Sequence, residues 1–272
     1  MKSFQNKVAV ITGAGSGIGR ALAKQLSSEG ANLALSDVNM AGLEETKQQL
    51  PGSGKVTITN LDVSDRAAFE QYAADTLKEF GQVDMVFNNA GVAHAESVKD
   101  ASYEDFEWIM NINFWGVVHG TKSFLPHLES RPEAALVNIS SIFGIIALPT
   151  QATYNATKFA VRGFTEALRQ ELKGSNVYVG CVHPGGIKTN IAANGKLLKS
   201  MTGDKSKEQQ VKEFAKVART TPEKAAATIL NGVRKNKRRI LIGQDAKFMD
   251  RMQRLFPEKY TDIFGALLKI AG

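Results

Sequence analysis

The sequence predicts an α/β fold, a doubly wound parallel sheet of seven strands with helices on both faces. Three observations carry that prediction. Short β-branched runs alternate with longer stretches of helical spacing nearly from end to end. A glycine-rich loop joins the first such run to the first helical stretch. No Pro/Gly/Ser linker, internal repeat, low-complexity tract or composition break divides the 272 residues, so a single domain spanning 1–272 is expected.

The elements follow in order. Lys7 to Thr12 is the first strand, and Gly17 to Glu29 the helix after the glycine loop. Asn32 to Ser36 and Lys55 to Asp62 are strands flanking a helix at Met40 to Leu50. Helical spacing at Asp65 to Phe80 leads to a strand at Asp84 to Asn88, and Tyr103 to Leu128 reads as one long helix before the apolar strand Ala134 to Ser140. A helix at Thr153 to Leu172 precedes the strand Asn176 to His183; Pro222 to Lys235, with proline at its first position, precedes the last strand at Arg238 to Ile242. The segment 186–221 is polar, Lys-rich and Gly-containing, and no crossover helix follows the sixth strand directly. A connection that long inside a compact domain usually serves function, and it is expected to be a substrate lid.

Composition places the chain among folded globular proteins, with 43% hydrophobic and 22% charged residues. The net charge of +7 includes a dense run at Arg234, Lys235, Lys237, Arg238 and Arg239, which reads as solvated surface because no aromatic interleaving or nucleic-acid module accompanies it. No nucleic-acid partner is expected. Cys181 is the only cysteine, so no intrachain disulfide can form. The polar start, Met1 to Lys7, leaves no room for a signal peptide, and no stretch approaches the roughly 18 to 20 apolar residues of a membrane span. A cytoplasmic protein is expected. His94, His119, His127 and His183 do not stand at metal-ligand spacing, so no metal site is expected.

After the first strand comes Thr12-Gly13-Ala14-Gly15-Ser16-Gly17-Ile18-Gly19. Glycines let a backbone approach a phosphate closely, and the helix start beyond them offers free amides and a positive dipole end. The spacing departs from G-x-G-x-x-G, with Gly13, Gly17 and Gly19 as the functional set, but the strand before and helix after supply the context of a dinucleotide site. Asp37 closes the next strand about 20 residues on, placed to accept from adenosine ribose hydroxyls and repel a 2′-phosphate. Its alternative is to cap the helix at Met40. Neither Ser16 nor Val38 supplies a cation for such a phosphate, so NAD is expected over NADP.

In Tyr154-Asn155-Ala156-Thr157-Lys158 the i, i+4 spacing puts a phenol and an ammonium on one helical face. A free tyrosine, with a pKa of about 10, is a poor base at neutral pH unless a positive charge stabilises its phenolate. Lys158 and an oxidised nicotinamide could both do so. Ser141 follows an apolar strand, at the carboxyl edge where such sheets hold ligands.

These elements, with Asp62-Val63, Asn88-Asn89-Ala90-Gly91, Asn113, Ser140-Ser141 and Pro184-Gly185, make the chain resemble the short-chain dehydrogenase/reductase family, up to about Ile242. The resemblance implies a Rossmann-type fold and four catalytic residues. By it, Tyr154 is the acid/base, Lys158 binds the nicotinamide ribose and lowers the Tyr154 pKa, Ser141 polarises the substrate oxygen, and Asn113 holds a proton-relay water. Asn113 could instead simply satisfy backbone groups within its helix. Gly13, Ser16, Gly17, Ile18 and Gly19 would hold the cofactor with Asp37, Asp62, Val63, Asn89, Ala90 and Gly91. Tyr154, Lys158, Pro184, Gly185, Ile187 and Thr189 would meet its nicotinamide half.

Ser141, Phe143, Tyr154 and Gly186 are expected to meet substrate. The run Ile142 to Pro149 is apolar and passes the reacting carbon, which argues for a hydrophobic secondary alcohol or ketone. A 3-oxoacyl-carrier-protein reductase is the nearest alternative; Asp37 and the C-terminal extension 244–272 count against it. A non-catalytic NAD(H)-binding scaffold is the other, against which Tyr154, Lys158 and Ser141 stand. The extension carries Phe248, Met249, Met252, Leu255, Phe256, Ile263, Phe264, Leu267 and Leu268, enough to close the pocket, dock on a subunit or touch a membrane. Docking is favoured, because Asp245, Asp250, Glu258 and Asp262 balance its basic residues. Trp108, Phe114, Trp115, Phe159 and Phe164 could build a homodimer or homotetramer interface.

Overall fold

A computed structural model describes residues 1–200, 203 and 205–270, with the side chains of 266–270 outside the description. Part of the expected lid, and the side chains of Leu267 and Leu268 of the extension, therefore lie outside the description. The chain runs β1 (Val8–Thr12), α1 (Gly17–Ser28), β2 (Asn32–Asp37), α2 (Met40–Gln48), β3 (Val56–Asn60), α3 (Arg66–Phe80) and β4 (Met85–Asn88). A short β5 (His94–Ala95) precedes α4 (Tyr103–Met110), a π turn at Asn111–Trp115 and α5 (Gly116–Glu129). Then come β6 (Ala134–Ile139), a 3-10 turn at Ile142–Gly144, α6 (Ala152–Glu171) and β7 (Val177–Pro184). The remainder is α7 (Ile191–Asn194), β8 (Lys196–Leu197), α8 (Lys207–Val217), α9 (Pro222–Arg234), β9 (Arg239–Ile242), α10 (Gln244–Leu255) and α11 (Tyr260–Ile270).

Seven strands form one sheet in the order β3-β2-β1-β4-β6-β7-β9, and every pairing is parallel. Such strands bury both faces, and their successive side chains feed two separate cores. Ile11, Leu33, Leu35 and Phe87 pack against Leu22 and Leu26 of α1 and Ile229 and Leu230 of α9. Val10, Ala34, Val86 and Leu136 turn to the other side, against Phe69 of α3, Phe124 of α5 and Leu168 of α6. The strand order reverses between β1 and β4, and at that switch the loops beyond the carboxyl ends part to leave a crevice.

Helix signals explain most boundaries. Asp65 caps α3 by accepting from Ala68 N, and Gly81, at φ +71°, ends it in the left-handed conformation glycine adopts freely. Thr221 caps α9 with Pro222 in its first turn. The single helix expected over Tyr103 to Leu128 is instead interrupted by the π turn, which inserts an extra residue around Asn113. Segment 186–221 is not a plain loop either: α8 is closed by a capping box, with Ser206 and Gln209 exchanging hydrogen bonds. β8 pairs with β5, which ties this segment to the body of the domain. Lys196 adds an ion pair to Asp105 at 2.7 Å and lies 4.3 Å above the Trp108 ring. No helix among the described residues is long and apolar enough to cross a membrane.

Candidate active site

The loop after β1 closes on itself in a way that excludes larger residues. Gly13 has φ +67° and Gly17 φ +54°. A Cβ on Gly13 would sit 2.8 Å from Ala90 Cα, and one on Gly19 2.2 Å from the Gly13 carbonyl. Thr12 braces the loop, its hydroxyl accepting from Asn89 N and Ala90 N at 3.0 Å each. Asn89 returns its side-chain amide to the carbonyls of Thr12 and Gly13 at 2.9 and 3.2 Å. Asn89 thus braces the loop and lines the crevice as well. Ser16 is the N-cap of α1 but makes no side-chain cap bond, which leaves the first amides of that helix directed at whatever enters.

Asp37, at the end of β2, accepts from Gly15 N at 2.9 Å and Asn39 N at 3.0 Å. The helix cap is Asn39, whose side chain accepts from Gly42 N, so Asp37 does not cap α2. A cation does stand near this end: Arg20 donates to the Gly15 carbonyl at 2.5 Å. Its guanidinium also holds Glu45 at 2.7 Å, and that bond draws the Glu45 carboxyl below the usual carboxylate range. Asp62 accepts from the amide and hydroxyl of Ser64 at 2.9 and 2.6 Å, and Val63 is buried against Gly116.

Tyr154 and Lys158 lie on the buried face of α6. The Lys158 ammonium donates to the Ile139 carbonyl at 3.1 Å and stands 5.7 Å from the centroid of the Tyr154 ring. Burial acts on both: it pushes the Tyr154 phenol up to about 12, opposed by a hydrogen bond with Ser141, and the Lys158 ammonium down to about 8. Ser141 is set by its neighbours, its hydroxyl accepting from Phe143 N at 3.1 Å and its carbonyl facing His183 Nδ1 at 3.0 Å. Asn155 stitches the apolar loop to α6 by donating to the carbonyls of Phe143 and Ile146 at 2.8 Å each. Phe143 meets the Tyr154 ring edge-on at 6.0 Å.

Asn113 is fully buried on the π turn. Its Oδ1 accepts from Val92 N at 2.8 Å, and its Nδ2 donates to Val92 O at 3.0 Å and Thr157 Oγ1 at 3.2 Å. A Cβ on Gly91 would fall 3.0 Å from Asn113 Oδ1 and 3.3 Å from Lys158 Nζ, so glycine is what lets these groups converge.

Beyond β7, Gly185 N donates to Ile242 O at 2.9 Å and Gly186 N to the Asp245 carboxylate at 2.6 Å. A Cβ at Gly185 would lie 2.2 Å from that carboxylate. Ile187 bridges to Thr220, and Thr189 packs over the glycine loop, 3.0 Å from where a Gly17 Cβ would be.

One cavity of about 1360 Å³ joins these parts. Every residue expected to touch cofactor or substrate lines it except Gly19, which packs behind the loop; Asn113 does not line it either. The cavity also takes in Ile112 of the π turn and Phe214 and Val217 of α8, which the sequence reading did not assign, Trp108, expected at a subunit interface, and Asp245, Phe248, Met249 and Phe264 of the extension, for which closing the pocket was one of three readings. The last four come together only in three dimensions. The extension packs on its own domain, where Phe264, Met249 and Tyr260 meet Ile142, Ile145 and Ile146.

Comparison with known proteins bears on the family and the fold. The family model for short chain dehydrogenase matches residues 7–200. The Mycobacterium tuberculosis protein named "Putative oxidoreductase SadH" is 48% identical over 271 residues, covering 98% of this chain and 96% of that protein. A short chain dehydrogenase/reductase from Burkholderia phymatum, crystallised in complex with NAD, superposes with a TM-score of 0.86 at 30% identity over 95% of this chain and 96% of its own. Levodione reductase superposes with a TM-score of 0.80 at 30% identity, covering 90% and 99%.

Proposed function

The chain belongs to the short-chain dehydrogenase/reductase family of oxidoreductases, and from that premise we propose that it interconverts a hydrophobic secondary alcohol and its ketone with NAD. One observation carries the reading: Tyr154, Lys158 and Ser141 line the same cavity as the glycine loop and Asp37. A dinucleotide fits the residues present, because Gly13 and Gly17, both at positive φ, line the cavity and the start of α1 is left without a side-chain cap. Gly13, Ser16, Gly17 and Ile18 would hold its pyrophosphate, with Gly19 packing the loop. Asp37 would meet the ribose of its adenosine half, and Asp62, Val63, Ala90 and Gly91 the surrounding wall. Pro184, Gly185, Ile187 and Thr189 would hold the nicotinamide half. Bound there, nicotinamide supplies the hydride acceptor or donor.

The proton is the protein's task. In oxidation, the substrate hydroxyl proton passes to Tyr154, which must be a phenolate to receive it. Burial opposes that phenolate and the hydrogen bond with the Ser141 hydroxyl favours it; the Lys158 ammonium, 5.7 Å from the ring centroid, adds a positive charge nearby. Ser141 also orients the substrate oxygen, and Gly186 lines the same cavity. In the reverse direction the Tyr154 phenol gives its proton to the oxygen as the ketone is reduced. The three side-chain bonds of Asn113 leave the main chain of the π turn, or a second Oδ1 lone pair, to hold a relay water.

Substrate class rests on the apolar wall of Ile142, Phe143, Ile146 and Leu148, which suits a hydrophobic body and disfavours the polar carrier arm of a 3-oxoacyl-carrier-protein substrate. The exposed rings of Trp115 and Phe159 support a homo-oligomer. An absorbance assay at the NADH band against a panel of secondary alcohols tests the reading. Turnover with NAD is expected; binding of NADH without turnover of any alcohol or ketone would favour a scaffold.

A further inference from the structure

The cavity does not end at the reacting carbon. It continues between the segment 186–221 and the C-terminal extension, where its lining includes the apolar side chains of Phe214, Val217, Phe248, Met249 and Phe264. Phe248 is 48% exposed and Val217 65%, yet both line the cavity. Solvent-facing apolar groups gathered around one open chamber indicate a ligand that covers them.

The extension is built into this wall. Asp245 accepts from Gly186 N at 2.6 Å, at a place where only glycine at 185 admits the carboxylate. Tyr260 accepts from Ala147 N at 3.1 Å through its hydroxyl, and the buried Asp250 pairs with Arg239 at the end strand. These three tethers, on three parts of the domain, hold Phe248, Met249 and Phe264 over the site, with Phe248 and Phe264 packed edge-to-face at 6.2 Å.

We propose that Phe248, Met249 and Phe264 of the extension, with Phe214 and Val217 of α8, form a second subsite that binds an extended apolar chain or skeleton attached to the carbinol carbon. The ligand class is a long aliphatic or polycyclic secondary alcohol or ketone, and a short alcohol leaves the subsite empty. This deepens the oxidoreductase reading and rests on it for the word substrate; the subsite itself is a claim about binding.

A homologous series separates the two. With the full chain and NAD, kcat/KM is measured for butan-2-ol through dodecan-2-ol, and the dissociation constants of the matching 2-ketones are measured by calorimetry in the presence of NAD, where no reduction occurs. Burial of each added methylene is worth up to about fourfold, so both series are expected to climb two- to fourfold per methylene. In a Phe248→Ala/Met249→Ala variant the decyl-to-butyl ratio is expected to fall at least tenfold, read as a ratio so that general loss of activity cancels. Turnover without any chain-length slope overturns the subsite and leaves the reaction standing. A chain-length slope in ketone binding without turnover of any alcohol supports the subsite and overturns the reaction. A slope that survives unchanged in the folded variant overturns the assignment to the extension.

Discussion

The Lys158 ammonium stands 5.7 Å from the Tyr154 ring centroid while donating to the Ile139 carbonyl, so the lysine is fixed from the strand behind it and presents its charge to the phenol. The two groups are one turn apart on α6, but what holds the ammonium is the end of β6, a separate element.

Removing either member has a different signature. Tyr154→Phe keeps the ring and its contact with Phe143 but has no proton to exchange, so turnover is expected to fall by about 10²- to 10⁴-fold with NADH binding and melting temperature little changed. If Lys158 favours the phenolate as proposed, Lys158→Met is expected to make alcohol oxidation collapse at neutral pH and recover in part toward pH 10. A pH–rate profile for the lysine variant with the same shape as wild type would show that Lys158 does not tune the phenol.

In the proposed function, cofactor choice rests on Asp37. Its carboxylate is anchored by Gly15 N and Asn39 N, which fixes a negative charge at the end of β2, while the nearby Arg20 is engaged by Glu45. Wild-type protein is expected to bind NADH more tightly than NADPH, and Asp37→Ser to narrow that gap at least tenfold in fluorescence titrations. Tighter NADPH binding by wild type would remove Asp37 from this role.

What could be read in advance divides by range along the chain. The seven strands of the main sheet were legible because they are short apolar runs, most of them with β-branched residues, set between helical stretches, and Tyr154, Lys158 and the glycine loop because their patterns are local. The π turn was not, since Asn111 to Trp115 carry the same apolar spacing as the helices on either side. β5 and β8 are too short to show a period of two. Asp245 and Gly186 are 59 residues apart, and nothing local in either marks the bond between them. Asp37 and Asn39 are both plausible caps two residues apart, and only the hydrogen bonds choose Asn39.

His183 ties the Ser141 carbonyl to β7 and should make stability fall with acid. Burial lowers its imidazole from 6.5 to about 4. Between those values the unfolded chain binds a proton that the folded one refuses, so stability is highest above pH 6.5 and is lost as pH falls toward 4, by up to roughly 3 kcal/mol. Denaturant unfolding at pH 7 and pH 5 should show a smaller drop for His183→Gln, whose amide can still donate to Ser141. Equal drops in the two proteins would refute the assignment.

Asp250 tests whether the extension is a fixed part of the domain. Its side chain is 8% exposed and lies between Arg239, itself 21% exposed, and Arg254 at 3.1 Å. Deleting one partner of a buried pair leaves the other without compensation, whereas replacing both with apolar groups removes the desolvation cost as well. Glu166, at 3.9 Å from Arg239, softens the loss. Asp250→Ala is therefore expected to cost about 2 kcal/mol, with faster hydrogen exchange in α10 and a higher KM for long-chain substrates. An Arg239→Met/Asp250→Leu double variant should regain most of that stability. If the single variant leaves exchange in α10 untouched, the pair does not hold the extension, and Asp245 and Tyr260 must carry it alone.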